Sequence, residues 1–260
     1  MSAGPLGVDN DMVDVELAKS VSDVERLLKQ CVEVAQAENS AAGYFPLIYL
    51  WETRDLATAA DRGDFHSAEK LREMIVAFAN QYFSARGRFR AGQSAPRAWG
   101  LAFEAARSSS SLVIEHLLLA MNAHINLDLG VATAQVQMQS DDYQRVDGIL
   151  AQGVHRIQAK LNRTSLMLRA ADWFGGRFDE LFVIYSLEAA RRQAFSVSER
   201  LLRTPEPDRP SVIAQVDDLA TGFGRRLLQP PLRARVLLAL ARLTEPALSP
   251  REMVDTLARA

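Results

Sequence analysis

The sequence predicts an all-α fold, a single-domain multi-helix bundle around a long buried central helix at about residues 111–138. Three observations carry this. Apolar residues recur at helical spacing in almost every stretch, and the alternation of a half-buried strand occurs nowhere. From Leu112 to Met138 the chain has no proline and a single glycine, Gly130. The same stretch is apolar nearly all round, as a helix covered on every side must be.

Residues 1–20 scatter glycine, proline and acids among few large apolar groups and read as a flexible N-terminal segment, leaving 21–260 as one helical domain. Ser22 is placed to cap a first helix through Val24, Leu27, Leu28, Cys31 and Val34, which residues 39–43 break. A second runs from Phe45 to about Ala60 and stops at Gly63; a third starts near Asp64 and carries Leu71, Met74, Ile75, Phe78, Tyr82 and Phe83 at helical period. Gly87 to Ala95 reads as a basic loop, and Pro96 opens a short helix with Trp99 and Phe103. Serines 108–111 offer a stop and new N-caps before the central helix. Beyond it, Asp141 and Asp142 are placed to cap a helix through Val146, Ile149, Leu150 and Leu161. Further helices are expected at 164–174, closed by Gly175 and Gly176, and from about Phe178 to Arg203, with acids at its start and arginines later, as the helix dipole favours. A loop over Pro205–Pro210 precedes helices near Ser211–Leu228 and Pro231–Leu243. Ser249-Pro250-Arg251-Glu252 is a capping box that opens a terminal helix.

Composition narrows the function. With 260 residues, 48% hydrophobic and 24% charged, the chain has ample material for a core. A formal charge of −2 gives no basic footprint for nucleic acid. The single Cys31 excludes an internal disulfide and a cysteine-based zinc cluster, and with no basic neighbour it reads as a buried inert thiol. No glycine-rich phosphate loop and no dinucleotide fingerprint is present, so no nucleotide cofactor is expected. The N-terminus lacks the plan of a signal peptide, and no apolar run reads as reaching the ~20 residues of a membrane span. The expectation is a cytoplasmic protein without a membrane partner. Apolar residues 236–243 could form a subunit contact, which leaves a homo-oligomer open.

The chemistry concentrates in Glu115-His116-Leu-Leu-Leu-Ala-Met-Asn122-Ala-His124-Ile-Asn126-Leu-Asp128, which holds two of the four histidines. At ~100° per residue His116, His124 and Asp128 share about a third of the circumference. Glu115, Asn122, Asn126 and Thr133 form a narrower stripe on the other side, and Ala120, Ala123 and Gly130 form a small-residue strip where another helix could approach. At ~1.5 Å rise per residue, His124 and Asp128 are ~6 Å apart along the axis and can share a proton or an ion, whereas His116 lies ~12 Å from His124 and cannot join them on one ion.

Three readings follow. His124 and Asp128 could ligate one divalent metal (zinc, iron or manganese), with Asp64 and His66, or Asp61 or Asp172, completing the set. They could instead be a metal-free acid/base dyad, with Asn122, Asn126 and Glu115 binding a small organic substrate and His116 at the pocket edge, promoting hydrolysis or an acid/base rearrangement. Or the polar groups only satisfy main-chain atoms inside a structural or partner-binding bundle; a non-catalytic ligand-binding protein would instead use the same pocket for recognition. Five polar groups in thirteen residues of an apolar helix exceed what packing needs, because an unpaired buried polar group costs roughly 1–3 kcal/mol. Elsewhere, His155 reads as exposed, Glu188 and Arg191 as a surface pair unless that face turns inward with Tyr185, and Arg86, Arg88, Arg90 and Arg97 as solvated.

Tyr49 to Thr53, Phe78-Ala79-x-x-Tyr82, Trp99-x-x-x-Phe103, the run from His116 through Asn122-Ala-His-Ile-Asn-Leu-Asp128 to Leu129, Asp142-Tyr-x-x-Val146 and the Ala190-Arg191 to Ala194 segment together resemble an uncharacterised bacterial family, domain-of-unknown-function family 5995, over roughly residues 45–205. The resemblance implies an all-helical soluble protein and no particular activity.

Overall fold

The structure, a computed structural model, describes residues 15–107, 112–164, 187–229 and 248–259. Among the described residues the chain is helical with no strand. Helix α1 (Val21–Ala37) is capped by Ser20, whose hydroxyl accepts the Asp23 N–H at 3.1 Å, and not by Ser22. Ahead of it, the Asn80 side chain accepts the Ala18 N–H and donates to its carbonyl, at 2.8 and 3.0 Å. After Asn39, in the left-handed region at φ 49°, a 3₁₀ turn (Ala41–Gly43) leads into α2 (Tyr44–Arg62). That helix ends on Gly63 at φ 79°, a conformation only glycine adopts without strain.

Helix α3 (Ala68–Arg90) begins later than the sequence suggests. The Asp142 carboxylate accepts the N–H groups of His66 and Ser67 at 2.9 and 3.2 Å, so Asp142 fixes the entry of α3 instead of capping its own helix. At its other end α3 continues through the stretch read as a basic loop. Gly87 lies against Val15, and Arg90 makes two bonds to Glu38, at 2.7 and 3.0 Å, so this turn has partners that a solvated loop would not. Helix α4 (Arg97–Ala106) follows Pro96 as expected. Its first two N–H groups, of Arg97 and Ala98, donate to Asp217 at 2.7 and 2.9 Å, a carboxylate at a helix N-terminus supplied from far along the chain.

The central stretch is the long buried helix expected, with one irregularity. Helix α5 (Val113–Ala123) passes through a π-helical turn (His124–Asp128) into α6 (Leu129–Val136). Then come α7 (Ser140–Thr164), α8 (Leu187–Arg203), a 3₁₀ turn (Glu206–Asp208), α9 (Arg209–Leu228) and α10 (Pro250–Arg259). Ser249 and Glu252 form the expected capping box, the Ser249 N–H donating to the carboxylate at 2.8 Å and the Glu252 N–H to the hydroxyl at 3.3 Å. The helices expected at 164–174 and 231–243 lie outside the described residues, except that α7 reaches Thr164, as do serines 108–111, Asp172 and Tyr185.

The central stretch is the core of the bundle. Helices α4 and α9 pack on α5, α3 and α8 pack on α6, and α2 lies over α5. Gly130 makes the closest approach: a Cβ there would stand 2.8 Å from the Ala194 carbonyl of α8, which explains the one glycine of the stretch. Against the expectation that no segment reaches a membrane span, Val113–Val136 is long and apolar enough to cross one by length and composition; 83% of its apolar window is buried inside the protein.

Candidate functional site: a buried histidine and aspartate beside a cavity

The site starts from the π turn. The Leu129 N–H bonds to the His124 carbonyl, five residues back, which widens the helix by one residue at this point. Such turns concentrate at functional sites. His124 and Asp128 stand at its two ends with side chains touching, Nδ1 to Oδ2 at 3.0 Å. Helix α4 delivers Trp99, wholly buried, whose Nε1–H donates to the same Oδ2 at 2.9 Å. Aromatic rings from the facing helices fix the imidazole plane. Phe78 of α3 stacks on it at 3.6 Å between ring centroids and 7° between planes, and Tyr49 and Phe45 of α2 meet it edge-on at 4.4 and 5.2 Å.

Burial sets the protonation. It pushes the His124 imidazole well below its ordinary range. It pushes the Asp128 carboxyl well above its own, assisted by the charge of Asp217 and opposed by the Trp99 hydrogen bond. Both shifts have one physical origin: a dry interior opposes net charge on the pair. With Oδ2 already accepting the Trp99 N–H, the neutral ring presents Nδ1–H to it and keeps the lone pair on Nε2. Asp128 thereby fixes the ring's orientation and tautomer, as a carboxylate beside a histidine does.

Against His124 lies a cavity of about 60 Å³. Helix α2 supplies one wall, with Phe45, Ile48, Tyr49, Glu52 and Leu56 on a single helical stripe, and Phe78, Met121, Ile125, Leu150 and Arg191 close the rest. The walls are mostly hydrocarbon, yet three polar atoms in them have no hydrogen-bond partner among the described residues: His124 Nε2, Tyr49 Oη and Glu52 Oε2. None is open to solvent. Burial raises the Tyr49 hydroxyl well above its usual range, and the charge of Asp128 adds to this. Burial also raises Glu52 to about 7, with Asp55 adding and Arg156 opposing. Gly153 of α7 makes room for the Glu52 carboxyl, since a Cβ there would collide with it. Arg191 is buried, not the surface residue expected; it pairs with Asp147, and its carbonyl accepts the Tyr143 hydroxyl at 2.5 Å.

The other candidates from the sequence stand elsewhere. His116 is buried but lines a separate pocket of about 20 Å³ with Tyr82, Trp99 and Phe103. Glu115 accepts the Leu112 N–H at 2.7 Å, serving the start of its own helix. Asn122 donates to the Ala220 carbonyl of α9 at 2.9 Å and accepts from Asn126 at 2.9 Å. Asn122 thus ties α5 to α9, Asn126 supports it from the π turn, and neither lines the cavity. Asp64 and His66 are exposed at the α2–α3 corner, with His66 Nε2 3.9 Å from Asp141, and Asp61 pairs with Arg72 at 2.6 Å. They do not join His124 and Asp128. Among the described residues no group of three side chains from His, Cys, Asp and Glu could hold a metal ion. Cys31 is buried, and burial raises its thiol, as an inert cysteine requires.

Tyr49, Glu52 and Trp99 were not singled out as site residues from the sequence. A signal existed for two of them: Phe45, Tyr49, Glu52 and Leu56 are spaced 4, 3 and 4 apart, so Glu52 is an acid on the inward stripe of an apolar helix. Trp99 gave none, because its contact with Asp128 depends on how α4 crosses the π turn.

No curated protein and no solved structure matches the chain. A family model does, over residues 21–230, a longer span than the 45–205 legible in the sequence, and its description is a family of unknown function. With most of its length matched, the chain belongs to that family, DUF5995.

Proposed function

We propose that the protein is a small-molecule enzyme in which His124 moves a proton on an organic substrate held in the cavity beside it, with Asp128 as the positioning residue. The observation that carries this reading is the division of labour on one imidazole. Nδ1 is held by a carboxyl that Trp99 in turn holds, while buried Nε2 has no partner among the described residues, and the residue lines an empty space. A histidine retained only for packing would have both nitrogens satisfied. The volume sets the substrate. About 60 Å³ is far below the ~300–1,000 Å³ of a drug-sized site, so the guest has only a few heavy atoms. That favours an acid/base rearrangement over hydrolysis, because there is no space for substrate plus an attacking water.

The direct test is hydrogen exchange. Four-carbon aldehydes and ketones are incubated in D₂O with the wild type, His124→Gln and Asp128→Asn, and deuterium at the carbon next to the carbonyl is followed by NMR. Exchange by the wild type, lost in His124→Gln and reduced about 10²-fold or more in Asp128→Asn, supports the proposal. The apolar walls favour a second reading, a non-catalytic binding protein; compounds that raise the melting temperature while exchanging no faster than with His124→Gln would establish that instead.

A further inference from the structure

Glu52 is the second polar pole of the cavity and has no part in holding His124. Its two oxygens face different surroundings. Oε1 lies 3.9 Å from the Arg156 guanidinium on the outer side, but Arg156 is half-exposed and closes a tighter ion pair with Asp55. Oε2 is buried without a partner among the described residues. The other cation of the cavity wall, Arg191, is matched by Asp147. Arg156 and Arg191 thus each have a closer acid than Glu52. Apart from His124, the other walls of the cavity are the rings of Phe45, Tyr49 and Phe78, which favour a cation over an anion, and apolar side chains such as Ile48, Ile125 and Leu150.

We propose that the guest is a small organic amine whose ammonium group pairs with Glu52 while its apolar body extends towards His124. This rests on the reading of the cavity as a substrate site and adds the substrate's chemical class. Gly153 belongs to the same design: it lets the carboxyl lie flat against α7, where an amine meets it from the cavity side. The carboxyl's position near 7 agrees, since a group neutral in the empty cavity ionises when a cation arrives beside it.

The test uses three probes of equal chain length, n-butylamine, n-butanol and butyrate, titrated into the full chain by calorimetry. The amine is expected to bind about tenfold or more tightly than the alcohol, the gain of a charge-assisted over a neutral hydrogen bond, and butyrate not at all. Glu52→Gln should abolish the preference for the amine while keeping the alcohol. Gly153→Ala is a second variant that displaces the carboxyl without deleting it, and it should also lose the preference if Glu52→Gln does not fold. Alcohol binding as tight as amine, with both sensitive to His124→Gln, overturns the amine class and leaves the cavity reading standing. Failure of all three probes to bind overturns both.

Discussion

Glu52 and Asp128 are two carboxyls that burial pushes the same way, but only Asp128 has a Trp99 N–H donor and an imidazole beside it. For Glu52 the consequence is a measurable pH dependence of stability. Its folded-state position of about 7 lies above the ordinary 4.5, so the folded chain holds the proton more tightly than the unfolded one. Its stabilisation is complete below the unfolded value and is lost as pH rises through about 7. The groups facing it, Asp55 on its own helix, Arg156 on α7, and Arg191 and His124 around the cavity, do not reverse this sign, because desolvation is the leading cause. We expect the wild type to lose on the order of 3 kcal/mol between pH 4.5 and 8 that Glu52→Gln does not lose. Urea unfolding of both proteins across that range checks it; parallel profiles would show that Glu52 is solvated. For Asp128 the comparable change is Trp99→Phe, which removes the donor and leaves Oδ2 with the imidazole. A destabilisation of about 1–3 kcal/mol is expected, read as a lower urea midpoint at unchanged slope.

Among the elements, the central stretch shows how close packing and a local irregularity serve each other. The π turn at His124–Asp128 lets α5 and α6 continue in one direction while changing which residues face α2 and α8. Gly130, two residues beyond it, lets the α8 backbone come within contact of α6. Gly130→Ala would place its methyl against a carbonyl oxygen and the Val197 side chain, neither of which yields easily, and should destabilise by about 1–3 kcal/mol. Gly148 of α7 is the internal control. It is exposed, and a Cβ there meets nothing, so Gly148→Ala should stabilise by about 0.5–1 kcal/mol through helix propensity alone. Thermal or urea unfolding of the pair separates close approach from propensity, since the two substitutions are chemically identical and their expected signs are opposite.

Across the whole molecule, what the sequence made legible was whatever depends on local spacing. The helices, the Gly63 stop, the Ser249–Glu252 box, the small-residue approach at Gly130 and the contact of His124 with Asp128 all involve residues within a few positions of each other or one helical face. What it hid depends on long-range placement. Asp142 and Asp217 look like residues of their own helices, yet each satisfies the N-terminus of another, 75 and 119 or more positions away. Asn122 and Asn126 looked available for substrate because nothing local reveals Ala220 as the acceptor of Asn122, on which Asn126 in turn bonds. The terminal helix is the last case, since it lies beyond the span matched by the family model. Helix α10 packs on α1, the 3₁₀ turn Ala41–Gly43, α7 and α2. Met253, Val254 and Leu257 are buried there, Gln36 donates to Asp255 at 2.6 Å, and the Arg251 N–H donates to Asn39 at 3.1 Å. It therefore braces the start of α2, the helix that carries Tyr49 and Glu52, without contributing to the cavity lining. Leu257→Ala should cost about 2–5 kcal/mol as a core truncation. Under native conditions it should leave butylamine affinity within about twofold of the wild type, because Leu257 is not among the side chains that line the cavity and distant substitutions act nearly independently. Calorimetry beside urea unfolding distinguishes the outcomes: a loss of affinity in step with the loss of stability would mean that α10 sets the position of α2 at the site as well as its anchorage in the fold.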